Sequence, residues 1–193
     1  DKIKGFGNNV TDAGKKVMPL STAVAGIGAA AVTSAKEVDE GYASIIKKTG
    51  ATGDALDDLK EQMDDIFKDL PVDAKTAGDA VGEVATKFGL TGDELEGVTK
   101  QFLEFAEVNE TDVVTAIDST QSVMKKFGVD TKDTNLVLGK MTSTSQKTGI
   151  SMDTLETSLE TNGSTLKEMG LTLGESVDLL GSFEKSGIDS SKA

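Results

Sequence analysis

Apolar residues along this chain recur at helical spacing. Leu56, Leu59, Met63, Ile66 and Leu70 follow a three-four-three-four spacing, which sets all five on one seam of a helix and leaves Asp57, Asp58, Glu61, Asp64 and Asp65 largely off it. Pro71 stops that helix, and Asp73 can cap a following one that runs through Ala77, Val81, Val84 and Phe88. The plan repeats with Leu95, Val98, Phe102 and Phe105, a break near Val108-Asn109, and then Val113 or Val114, Ile117, Met124 and Phe127. Phe67 and Phe105, like Phe88 and Phe127, thus take corresponding places in two predicted hairpins. Upstream, Val38, Tyr42, Ile45 and Ile46 form the apolar stripe of a helix that ends at Gly50. Beyond Gly128 the pattern weakens. Leu136, Leu138 and Met141 are followed by Thr142-Ser143-Thr144-Ser145-Gln146, a run of middling helix propensity. Leu155, Leu159, Leu166 and Met169 carry the next helix across Gly163, where a kink or short break is expected, and Val177, Leu180 and Phe183 carry the last. No stretch alternates with period two, so the predicted fold is all-α, built of helical hairpins and short antiparallel helices without significant β-sheet.

The stops between helices share one grammar of glycine, apolar residue and N-cap oxygen. It appears at Gly50-Ala51-Thr52, Gly89-Leu90-Thr91, Gly128-Val129-Asp130, Gly149-Ile150-Ser151, Gly170-Leu171-Thr172 and Gly187-Ile188-Asp189. Thr91 with Glu94 has the spacing of a capping box. The glycines are separated by 39, 39, 21, 21 and 17 residues, which suits two hairpins followed by single helices with short connections. The expected organisation is a polar segment over 1–16, a small-residue apolar helix over 17–48, two hairpins over 49–128 and further short helices over 129–193.

The stretch from Val17 to Ala35 carries no charge and is dominated by Ala, Gly and Val between Lys15-Lys16 and Lys36-Glu37. As a membrane span it barely reaches the necessary length of about 20 residues and offers Ala and Gly in place of Leu and Phe. As a secretory signal it lies too far from the start of the chain. The preferred reading is a helix that packs its backbone closely on partners, because Gly26 with Ala30 and Ala25 with Ala29 lie four apart on one face. Conditional entry into a membrane stays open. Gly26-Ile27-Gly28-Ala29-Ala30-Ala31 also matches a dinucleotide fingerprint, but it lacks the preceding strand and the parallel-sheet pattern which that chemistry needs.

Composition narrows the chemistry further. The 193 residues include 33 acids against 20 bases, for a net charge of −13, and contain no His, Cys or Trp. Such a chain is repelled by nucleic acid, whose binding requires clustered Lys and Arg, and it lacks the usual zinc ligands and proton shuttles. The acids between Asp54 and Asp69 lack the Asp-x-Asp-x-Asp-Gly order of a calcium loop and read as a solvated helix face. No nucleophile elbow, phosphate loop or zinc-protease helix is present, so no catalytic residue, cofactor or metal is expected. With seven Phe and one Tyr, the core must be built of Leu, Val, Ile, Met and Ala. In such a thin chain the seam of Leu56, Leu59, Met63, Ile66 and Leu70 is either core or a self-association contact. The start at Asp1 and the helix signal at Ile188-Asp189 read as a piece of a longer polypeptide.

In order along the chain, Gly14-Lys15-Lys16-Val17-Met18-Pro19-Leu20-Ser21-Thr22, the Ala/Gly-rich stretch, Glu37-Val38-Asp39-Glu40-Gly41-Tyr42, Lys48-Thr49-Gly50, the Leu70-Pro71 break and the later glycine-capped helices resemble the core region of bacteriophage tail tape measure proteins. The resemblance spans roughly residues 14 to 190 and departs at Val38-Asp39, where that family tends to place Phe-Glu. It implies a structural virion protein, assembled in the bacterial cytoplasm, that occupies the lumen of the tail tube, sets tail length and leaves ahead of the DNA. The implied partners are copies of itself, with a trimer favoured, tail tube and tail tip or baseplate proteins, and transiently the host membrane; specific nucleic-acid binding is not among them. An α-helical repeat adaptor with a concave surface is the alternative, and a membrane-perforating helical domain a third reading.

Overall fold

A computed structural model describes residues 35–188, and the expectations for 1–16, for the apolar stretch with Ala25, Gly26, Ala29 and Ala30, and for the cap at Asp189 lie outside the described residues. Among the described residues there are eight α-helices and no strand: α1 (Ala35–Thr49), α2 (Asp54–Asp69), α3 (Ala74–Phe88), α4 (Gly92–Asn109), α5 (Val113–Phe127), α6 (Thr134–Thr148), α7 (Met152–Glu168) and α8 (Leu173–Lys185). A 3₁₀ turn, Thr131–Asp133, leads into α6. The chain packs as two units, whose described parts are 35–117 and 118–188, and the division falls inside α5.

In the first unit, α3 is the central element. It touches α1, α2 and α4, and Ala74, Ala77, Gly78, Ala80, Val81, Gly82 and Val84 are all buried. Small residues on so many faces let three helices approach one axis. The closest approach is α1 on α3. A Cβ at Gly78 would collide with the backbone carbonyl of Gly41, and one at Gly41 would collide with the carbonyl of Ala74 and come within 2.8 Å of Met63 Sδ. A Cβ at Gly82 would stand 3.0 Å from that of Lys48. Backbone against backbone at this spacing is possible only where side chains are missing. Around the crossing, Ile45, Met63, Ile66, Leu95, Phe102 and Phe105 are fully buried, and Phe88 packs on Phe102 with ring centroids 5.6 Å apart. Phe67, by contrast, is only half-buried where Phe105 is sealed, so the correspondence expected between the two hairpins does not extend to burial.

In the second unit α6 packs on α7 and α8, and α7 on α8. Val137, Leu138, Met141, Leu155, Leu159, Val177 and Leu180 form its apolar centre. The polar run of α6 is helical throughout, with Thr142, Ser143 and Thr144 buried, because α8 presents Gly181 there: its Cα leaves room for the methyl groups of Thr144 and Thr148. The break expected at Gly163 is absent. α7 runs through it, and the missing side chain instead admits Phe127, whose ring would lie 3.2 Å from a Cβ.

The glycine stops fall into two geometries. Gly50, Gly89 and Gly149 each donate one bond back to the carbonyl four residues earlier, the αL motif. At Gly128, Gly170 and Gly187 the following residue also donates to the carbonyl five back, the Schellman motif, which draws Val129, Leu171 and Ile188 toward their own helices. Of the expected caps, Asp73, Ser151 and Thr172 accept from the backbone, and Thr172 with Glu175 completes a capping box. Two expected caps are corrected. Thr91 takes the N-cap position of α4 without a side-chain bond, and Gly92 after it stands at φ 61, outside the helical backbone that a capping box requires at its first position. For α2 the N-cap is Gly53 rather than Thr52.

Candidate functional site

Three features of the described residues bear on function: the α2 seam, the α1–α3 crossing and the acidic surface. On the seam, Leu59, Met63 and Ile66 are buried within the chain, while Leu56 and Leu70 at its two ends are half-buried. The acids beside it face outward or pair locally. Asp64 accepts from the Tyr42 hydroxyl through both oxygens at 2.9 Å, and Lys60 lies 5.3 Å from the centre of the Tyr42 ring. Burial, then the bond to Asp64, pushes the Tyr42 hydroxyl up to about 12.

The α1–α3 crossing is stitched by polar pairs beside its glycines, at Asp79 and Glu83 next to Gly78 and Gly82. Lys48 of α1 meets the buried Glu83 of α3 at 2.6 Å, with Lys87 at 3.6 Å from the same carboxylate. Ser44 donates to Asp79, which also receives Lys75 at 2.5 Å. Burial pushes the Asp79 carboxyl up, but these bonds outweigh it and hold the group below its usual value. Further along, Lys100 of α4 bridges Asp69 of α2 and Glu96 at 2.6 Å each.

The five punctuating glycines, Gly50, Gly89, Gly128, Gly149 and Gly170, all stand at positive φ at helix ends. Gly41, Gly78 and Gly82, which set the closest helix contact, were not among the residues expected to matter. The signal was present as Ala74, Gly78 and Gly82 at intervals of four, the same pattern read for Ala25, Gly26, Ala29 and Ala30.

Among the described residues, two open clefts mark the surface. One of about 770 Å³ lies against α2 and the α3–α4 connection and is lined by Asp58, Glu61, Asp65, Asp93 and Glu96, with the Gln62 side-chain oxygen buried and unpartnered beside them. The other, about 520 Å³, is lined by Phe127, Val129, Lys132, Lys167, Leu171 and Leu173. Among the described residues no three His, Cys, Asp or Glu side chains are placed to hold a metal ion, and no helix is long and apolar enough to cross a membrane.

What this geometry offers is an acidic, helix-capped scaffold. Comparison with protein families finds that the sequence model of the phage-related minor tail proteins matches residues 60–193. The chain belongs to that family. No curated protein and no solved structure matches it. The matched region takes in most of α2 and everything beyond, so the glycine-capped hairpins are the part that the chain shares with other phage minor tail proteins. Its role is accordingly that of a structural component of a phage tail, associated with other tail proteins.

Proposed function

We propose that this minor tail protein is a folded portion of a tail tape measure protein, which occupies the tail tube lumen, sets tail length in assembly and is released ahead of the DNA. The observation that carries the reading is the family match over 60–193, taken together with short helices that, α4 apart, end at glycine or Pro stops. Continuous helix over 193 residues would reach about 290 Å at 1.5 Å per residue. The repeated stops support a segment folded back in hairpins, with the simple ruler elsewhere in the full chain. An acidic surface suits a lumen that DNA must later pass, because it does not retain a polyanion. Self-association into a small oligomer, a trimer in the favoured case, belongs to this reading; since each chain buries Leu59, Met63 and Ile66 itself, the contact falls to Leu56, Leu70 and their surroundings. Contact of residues 17–35 with the host membrane is part of the same proposal.

The test is mass spectrometry of purified tails before and after DNA ejection. The chain should be present in filled particles and lost from emptied ones; equal amounts in both overturn the release role. Light scattering at several concentrations tests the oligomer, for which a constant mass of three chains is expected. The cleft beside α2 favours a second reading, a helical adaptor module, and a folded monomer at every concentration would move weight to it.

A further inference from the structure

Three successive acids on α7 face very different surroundings. Asp153 and Glu160 are exposed, but Glu156, between the fully buried Leu155 and Leu159, keeps only 3% of its surface and its Oε1 has no hydrogen-bond partner. An ionised carboxylate in such a place loses hydration without compensation. The cations of the helices packed against α7 do not supply it. Lys140 of α6 pairs with Asp178 of α8, Lys126 of α5 reaches the carbonyl of Glu160 at 2.6 Å, and Lys125, Lys147 and Lys185 are exposed. The acids on those helices are Asp118 of α5 and Glu175, Asp178 and Glu184 of α8; Glu175 closes the α8 capping box. The charges that act on Glu156 are Glu160 and Asp153, both negative.

From this geometry we infer that Glu156 is a pH-sensitive weak point of the second unit: neutral, its carboxyl lets α7 pack, and ionised, it favours release of α7 from α6 and α8. The inference rests on the packing of 118–188 and stands apart from the tail-lumen reading. Burial, then Glu160 and Asp153, pushes the carboxyl from 4.5 up to about 7. The folded chain therefore holds a proton that the unfolded chain has lost between those values, and stability falls as pH rises through that window.

The experiment is urea unfolding of the 193-residue chain from pH 5 to pH 8.5, followed by the helix signal, in wild type and in Glu156→Gln. Relative to Glu156→Gln, the wild-type unfolding constant should grow roughly a hundredfold across this range. Identical pH slopes in the two proteins overturn the inference. Should Glu156→Gln not fold, carbon NMR of the Glu156 carboxyl in the unaltered chain decides alone: it should titrate near neutrality, and a midpoint that stays near 4.5 overturns the inference.

Discussion

At the scale of single residues, two positions carry conformational or electrostatic tension that a measurement can reach. Glu110 closes α4 in the left-handed region at φ 53, where every other positive-φ residue among those described is a glycine. Its amide and that of Thr111 complete a Schellman motif with Glu107 and Ala106, so the chain gains the stop but bears a Cβ there. Glu110→Gly should therefore raise stability by about 0.5–1 kcal/mol, read as a higher urea midpoint at unchanged slope. Tyr42 is the chain's one tyrosine, which makes its ultraviolet titration assignable without labelling. Its phenolate band should appear with a midpoint near 12 while the helix signal persists, because ionisation must break the bond to Asp64 and place two negative charges together. A midpoint near 10 in the folded chain would remove that bond. Because the folded state holds this proton longer than the unfolded one, stability should also fall above pH 10.

At the scale of elements, glycine does two opposite jobs, and a matched pair of substitutions separates them. Gly97 lies in exposed α4 helix with nothing near its missing Cβ, so Gly97→Ala should stabilise by about 0.5–1 kcal/mol through helix propensity alone. Gly78→Ala has the same local gain, but its new methyl would meet the backbone of Gly41, which cannot rotate aside as a side chain can. A net loss of about 2 kcal/mol or more is expected, as for overpacked cores. Equal effects at the two sites would mean that α1 and α3 are not in close contact. This contrast also marks what the sequence could tell. Helix ends were legible because glycine followed by an apolar residue and a cap is local chemistry, and the all-α fold follows from apolar spacing such as Leu59, Met63 and Ile66. The packing partners were not legible. The same interval of four in Gly78 and Gly82 could serve any helix, and only the fold brings Gly41 to it. At Gly163 propensity favours a break, and the contact with Phe127 overrides it; the Thr142–Thr144 run, of middling propensity, is helical as its spacing suggests, with Gly181 making the room that its burial needs. Glu156 gave no signal at all, since an acid among acids looks solvent-facing until its helix is placed.

At the scale of the whole molecule, charge sets two effects against each other. A net charge of −13 on 193 residues repels itself, and salt relieves that repulsion over distances beyond about 10 Å at 0.1 M. The ion pairs act in the opposite sense, since salt weakens them. Most are partly exposed, as between Lys68 and Asp65 or Lys75 and Asp79, and such pairs contribute about 0–1 kcal/mol each. Lys48 with Glu83 is the better shielded pair, and shielding makes it the less salt-sensitive. The long-range repulsion should therefore dominate the response, and the melting temperature should rise as sodium chloride increases from 20 to about 300 mM. A fall over that range would mean that the pairs across α1, α3 and α4 hold the first unit more strongly than their exposure implies. The same field predicts behaviour toward DNA. Binding through phosphates is strongest at the lowest salt, so a filter-binding assay at 20 mM salt is the most permissive condition, and no retention of duplex DNA is expected there. Retention that disappears with added salt would reveal a basic patch that the net charge hides, and would count against a chain built to share a lumen with the genome.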